Sequence, residues 1–176
     1  MNNILCGSSC IKYILNDFCI NTGQLNLKMT WITELAIALK NSGIKNISIL
    51  CYKSNLYYDY KNNPNIDLSF NGFHYIEECI KNNIHINEIE LSKMELLKEV
   101  KENKFIVLCV ESSVFNNRNM NGGHFIVLNG INNNKIRIIN PIKNKYEYKL
   151  ETAENIIKYC ESYGAWRILI KEDNND

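Results

Sequence analysis

Apolar residues recur at helical spacing early in the chain and at strand spacing late in it. Cys10, Ile11, Ile14, Leu15 and Phe18 lie on one helical stripe, which predicts a helix over residues 7–18 that stops at Asn21-Thr22-Gly23. Ile32, Leu35, Ala36 and Leu39 predict a second helix over 31–41, with Thr30 as N-cap and Gly43 as stop. Residues 44–52 read as a strand, and 54–71 as a polar, Tyr-rich loop around Asn62-Asn63-Pro64. Phe73, Ile76, Cys79 and Ile80 predict a helix over 72–82, and the alternation over 84–89 a short strand. Ser92-Lys93-Met94-Glu95 is a capping box that opens a helix reaching Glu102.

The texture changes after Lys104. Residues 105–110 and 125–128 are continuous apolar runs of strand length, and Asn132-Asn133-Asn134 is a tight turn. Residues 135–140 and 145–149 alternate, and 167–170 supply a last strand. One helix over 152–163 interrupts them before Gly164. Helices in the first half and antiparallel strands in the second predict an α+β domain spanning residues 1–176.

Charge narrows the partners. Twenty basic and 19 acidic residues give a net charge of +1, with the lysines scattered. No basic surface is expected to draw in nucleic acid or anionic lipid. No apolar run approaches the length of a membrane span, so the expected setting is soluble and cytoplasmic. The seven cysteines are odd in number and widely spaced, which reads as thiols rather than a disulfide framework. His74 and His85 lack the partners of a zinc site, so no metal and no cofactor are expected.

Three residues stand out chemically. Cys6, in Leu5-Cys6-Gly7-Ser8-Ser9-Cys10, opens the first helix, where the helix dipole favours thiolate over thiol. His124 follows Gly122-Gly123 at the mouth of a strand, and the two glycines leave room for a substrate backbone. The turn at 132–134 reverses the chain, so Asn140 on the returning strand comes back beside His124, where its side-chain oxygen accepts the imidazole N–H. Nucleophile, base and orienting residue are the parts of a thiol acyl-transfer site. Trp31, opening the second helix, is a candidate cleft wall, with core packing as its other reading.

Cys6-Gly7-x-x-Cys10, the Gly-His-Phe-x-Val-Leu strand and the following Asn-Pro resemble the peptidase C39-like branch of papain-like thiol enzymes. Trp31-Ile32-Thr33-Glu34-Leu35-Ala36, the run at 123–130 and Ser162-Tyr163-Gly164 resemble, more narrowly, the guanylyl cyclase domain-containing protein 1 family, over residues 4–171. The resemblance implies a papain-like cysteine peptidase fold with Cys6 as nucleophile, His124 as general base and Asn140 as orienting residue. It also implies an oxyanion-donating Gln about six residues before the Cys. Five residues precede Cys6 here, and Asn2 or Asn3 is the expected stand-in. The expected substrate is a peptide, amide or acyl thioester. The expected reaction is cleavage of a peptide, amide or isopeptide bond through a thioester at Cys6, or transfer of that acyl group to an amine. A catalytically weak binding module is the alternative outside catalysis. Guanylyl cyclase activity is disfavoured, because no Gly-rich phosphate loop and no carboxylate pair for Mg²⁺ is evident.

Overall fold

The computed structural model describes residues 6–22, 31–63, 65–115, 122–142 and 145–172. Helix α1 (Cys6–Asp17) follows the predicted stripe and buries Cys10, Ile11, Ile14 and Leu15 completely. Helix α2 (Ile32–Asn41) buries Leu35, Ala36 and Leu39. Trp31, not Thr30, occupies its N-cap position and offers no side-chain cap; Thr30 lies outside the described residues. Strand β1 (Ile47–Cys51) follows. The expected loop over 54–71 contains a helix, α3 (Asn55–Asn62), capped by Ser54 Oγ accepting the Tyr57 N–H at 3.3 Å. Helix α3 buries no residue fully, so it has no apolar stripe to betray it.

Helix α4 (Asn71–Lys81) and strand β2 (His85–Glu88) come next. Helix α5 (Lys93–Glu102) starts at the capping box, where Ser92 Oγ accepts the Glu95 N–H at 3.1 Å. Then come β3 (Phe105–Glu111), a 3-10 turn (Ser112–Val114), β4 (Gly123–Asn132), β5 (Lys135–Ile142), β6 (Lys145–Glu151), α6 (Ala153–Cys160), a second 3-10 turn (Glu161–Tyr163) and β7 (Arg167–Ile170).

The architecture is α+β, with six α-helices and one seven-stranded mixed sheet among the described residues. Strand order is β2-β1-β7-β3-β4-β5-β6. Only β1 and β2 pair in parallel; the other neighbours are antiparallel. The expected division of helices first and antiparallel strands second is therefore incomplete, because β1 and β2 join the same sheet.

Both sheet faces are covered, which is why the central strands read as unbroken apolar runs. Phe105, Val107, Phe125 and Val127 face α1, α2 and α4. Ile106, Leu108, Ile126 and Leu128 face α5 and α6. Each fully buried Ile or Leu contributes roughly 1.5–3 kcal/mol. On the α5 side, fully buried Arg167 makes a bidentate pair with Glu99 at 2.6 and 2.7 Å. No helix among the described residues is long and apolar enough to cross a membrane.

Candidate active site

Cys6 is the first residue of α1 and is half-buried. Its sulfur accepts the Phe125 N–H at 3.4 Å. One helical turn later, the Cys10 thiol donates to the Phe125 carbonyl, also at 3.4 Å. The Cys-x-x-x-Cys spacing thus satisfies both backbone groups of one strand residue. Tyr146 pins the same helix to β6, donating its hydroxyl to the Ser9 carbonyl at 3.2 Å and packing edge-on against Tyr13 at 5.0 Å. Cys10 is fully buried and its thiol is held well above the ordinary range, chiefly by burial. It serves packing and anchorage, whereas Cys6 is partly open to solvent.

Burial also pushes the Cys6 thiol up, against the pull of the Phe125, Gly7 and Cys6 amides. This corrects the sequence-based expectation of a thiolate: at a helix end packed on a sheet, desolvation outweighs the amide hydrogen bonds. The resting group is a neutral thiol.

His124 and Asn140 meet as expected, His124 Nε2 to Asn140 Oδ1 at 2.6 Å. Both are buried, at 5% and 3% exposure. Local geometry explains the meeting. Asn133 and Asn134 adopt φ of 49° and 60° and form a two-residue hairpin turn that pairs Asn132 with Lys135. That register alone would put Asn140 on the face of Phe125. A bulge between Leu128 and Ile131, with Gly130 at φ 74°, adds one residue to β4 and shifts the pairing. Beyond it Leu128 pairs with Ile138 and Val127 with Ile139. Asn140 therefore shares the α5/α6 face with His124, diagonally across the pair. Arg137 closes the bulge, donating from Nε to the Asn129 carbonyl and from Nη2 to Asn129 Oδ1, both at 3.0 Å.

Burial lowers the His124 pKa below the ordinary imidazole value, and the Asn140 hydrogen bond partly restores it. The imidazole is neutral at rest. Its neighbour is Phe115, whose ring centroid lies 6.2 Å away at 33°. Sequence reading missed Phe115, because a lone aromatic just after a 3-10 turn carries no signal of what it will face.

The remaining candidates separate. Gly122 is exposed with φ 155° and open space where a Cβ would stand. Gly123 is different: a Cβ there would lie 2.9 Å from Cys109 Sγ and 3.3 Å from Tyr163, so its missing side chain makes room for its own neighbours rather than for a substrate. Trp31 packs edge-on against Phe70 at 5.6 Å and borders Gly72, at the start of α4, which is the packing role. Asn2 and Asn3 lie outside the described residues. Among the described residues no group of three or more His, Cys, Asp or Glu is arranged to hold a metal ion. Comparison with protein-family models, curated proteins and solved structures finds no match to this chain.

Proposed function

We propose that this chain is a papain-like cysteine enzyme that forms a thioester at Cys6 and cleaves a peptide, amide or isopeptide bond. The observation that carries the reading is the Phe125 N–H to Cys6 Sγ hydrogen bond: the partly exposed thiol lies against the peptide unit joining Phe125 to His124, whose Nε2 Asn140 already holds.

Thiol and imidazole both start neutral, so the proton moves during attack rather than before it. His124 stands on the α5/α6 face and Cys6 on the α1 side, so this reading requires Nδ1 to reach the sulfur around the open start of β4. There it takes the thiol proton as sulfur bonds to the carbonyl carbon and the C=O pair shifts onto oxygen. Asn140 Oδ1 accepts from Nε2–H, fixing the tautomer that leaves Nδ1 basic and stabilising the imidazolium. The amides of Cys6 and Gly7 at the start of α1, which pull the thiol pKa down, are the donors this reading assigns to the developing oxyanion. Collapse returns the electron pair, breaks the C–N bond and delivers the His124 proton to the departing amine. Water, deprotonated by His124, then attacks the thioester. The acid leaves and the thiol is reprotonated.

The test is acylation by p-nitrophenyl acetate, read as nitrophenolate release and as the acetylated peptide in mass spectrometry. The expected result is acetyl-Cys6 with turnover, lost in Cys6→Ala and slowed about 10²–10⁴-fold in His124→Ala. Acetylation that ignores Cys6, or that His124→Ala leaves unchanged, overturns the reading. An added primary amine that intercepts the acetyl group would assign transfer rather than hydrolysis.

A further inference from the structure

His124 and Asn140 are nearly inaccessible, yet they stand near the open start of β4, where Gly122 and Gly123 are exposed. Something must close the imidazole face there. The Phe115 ring stands beside it, at the end of the 3-10 turn that follows β3. It is held from two further directions. Tyr159 on α6 meets it edge-on at 5.8 Å and 85°, and Lys149 on β6 places its ammonium 5.6 Å from the ring centroid.

Both holders converge on one carboxylate. Glu151 pairs with Lys149 Nζ at 2.9 Å and accepts the Tyr159 hydroxyl at 3.3 Å. Its other oxygen accepts the Thr152 amide at 3.0 Å and Asn155 Nδ2 at 2.9 Å, at the first turn of α6. Glu151 is thus fixed to the helix start, and through it Lys149 and Tyr159 are fixed around Phe115.

We propose that Phe115 is a positioning residue for the His124–Asn140 pair, clamped by the Glu151–Lys149–Tyr159 network so that its ring keeps water off the imidazole. An apolar plane beside the ring removes the competing solvent partners of the short hydrogen bond and disfavours the imidazolium. The Lys149 charge beyond Phe115 is offset by Glu151, so desolvation by the ring is the dominant influence Phe115 exerts. In the proposed reaction this keeps the base neutral until a substrate binds. The assignment rests on the thiol-enzyme reading for its purpose but is read out without any acyl chemistry.

The experiment is an NMR titration of the imidazoles. The chain has three histidines, and His124→Gln identifies the signal of interest. Phe115→Ala is expected to raise the His124 midpoint toward the ordinary value of about 6.5. Phe115→Leu, which keeps an apolar cover, is expected to restore most of the wild-type value. If Phe115→Ala does not fold, Phe115→Val is read in the same way. An unmoved His124 midpoint in a folded Phe115→Ala or Phe115→Val chain overturns the assignment. A shifted midpoint with an unreactive Cys6 removes the enzyme reading alone.

Discussion

The amide of Phe125 donates to the sulfur of Cys6 at 3.4 Å, across 119 positions of sequence. That bond joins the helical half of the chain to the strand that carries the imidazole. It also sets the chemistry of the thiol, because the contact that orients the sulfur is made in a site that buries it.

The first consequence concerns reactivity with pH. The Cys6 thiol is raised above 9.0 by burial, so iodoacetamide labelling of Cys6 is expected to keep rising as the pH passes that value. Cys19 is exposed and should be replaced by Ser to clear the background. Peptide mapping across a pH series checks this. A plateau well below the ordinary thiol value would show a stabilised thiolate and contradict it.

Asn140→Ala removes the acceptor of a buried imidazole N–H. The expected cost is about 1–3 kcal/mol, read by urea denaturation. The His124 midpoint should fall further, because burial lowers it and Asn140 is the group that raises it. A variant with the stability and titration of the parent would remove Asn140 from the pair.

Glu151 predicts the acid limb of stability. Burial raises its carboxyl, but Asn155, Lys149 and the Thr152 amide outweigh burial and take it from 4.5 to about 2. On acidification the unfolded chain binds that proton first, so the stability present above 4.5 drains away as the pH falls toward 2. His124 acts with the same sign below 6.5, its folded value being lowered. Glu151→Gln should flatten the lower part of this limb and leave the part near His124's range intact, measured by thermal melts across pH.

Gly123→Ala drives a Cβ to 2.9 Å from Cys109 Sγ and 3.3 Å from Tyr163. Overpacking of this kind costs about 1–3 kcal/mol. Adding Cys109→Ala removes the closer clash, so the double variant should be more stable than the two single effects sum to. Strict additivity in a double-mutant cycle would mean that the glycine is not there to admit the sulfur.

What the sequence disclosed, and what it withheld, follows from the range of each interaction. The stripe from Cys10 to Phe18 is local, and α1 forms where the stripe lies. The turn at Asn133-Asn134 is local too, since asparagine tolerates left-handed backbone. The return of Asn140 to His124 was legible because one turn joins two strands. The face on which they meet was not: it depends on the bulge at Gly130, and a glycine after Asn129 reads as readily as a turn. The rise in the Cys6 thiol was hidden for a related reason. Its helix end is visible in sequence, but the sheet that desolvates it is assembled from residues more than a hundred positions away. Gly123 shows the same limit, its vacancy being filled by Cys109 and Tyr163 from two other elements.

The place of β7 in the sheet has a consequence for biosynthesis. The last strand of the chain lies between β1 and β3, pairing Ile49 with Ile168 on one side and Val107 with Ile168 on the other. Until the ribosome has released residue 170, β1 and β2 have no strand pairing to the β3–β6 ribbon, and two apolar edges stand open. A nascent chain stalled before Arg167 would hold every residue of the thiol site and still lack a continuous sheet. Messages truncated there should yield aggregates in cells rather than a smaller working protein.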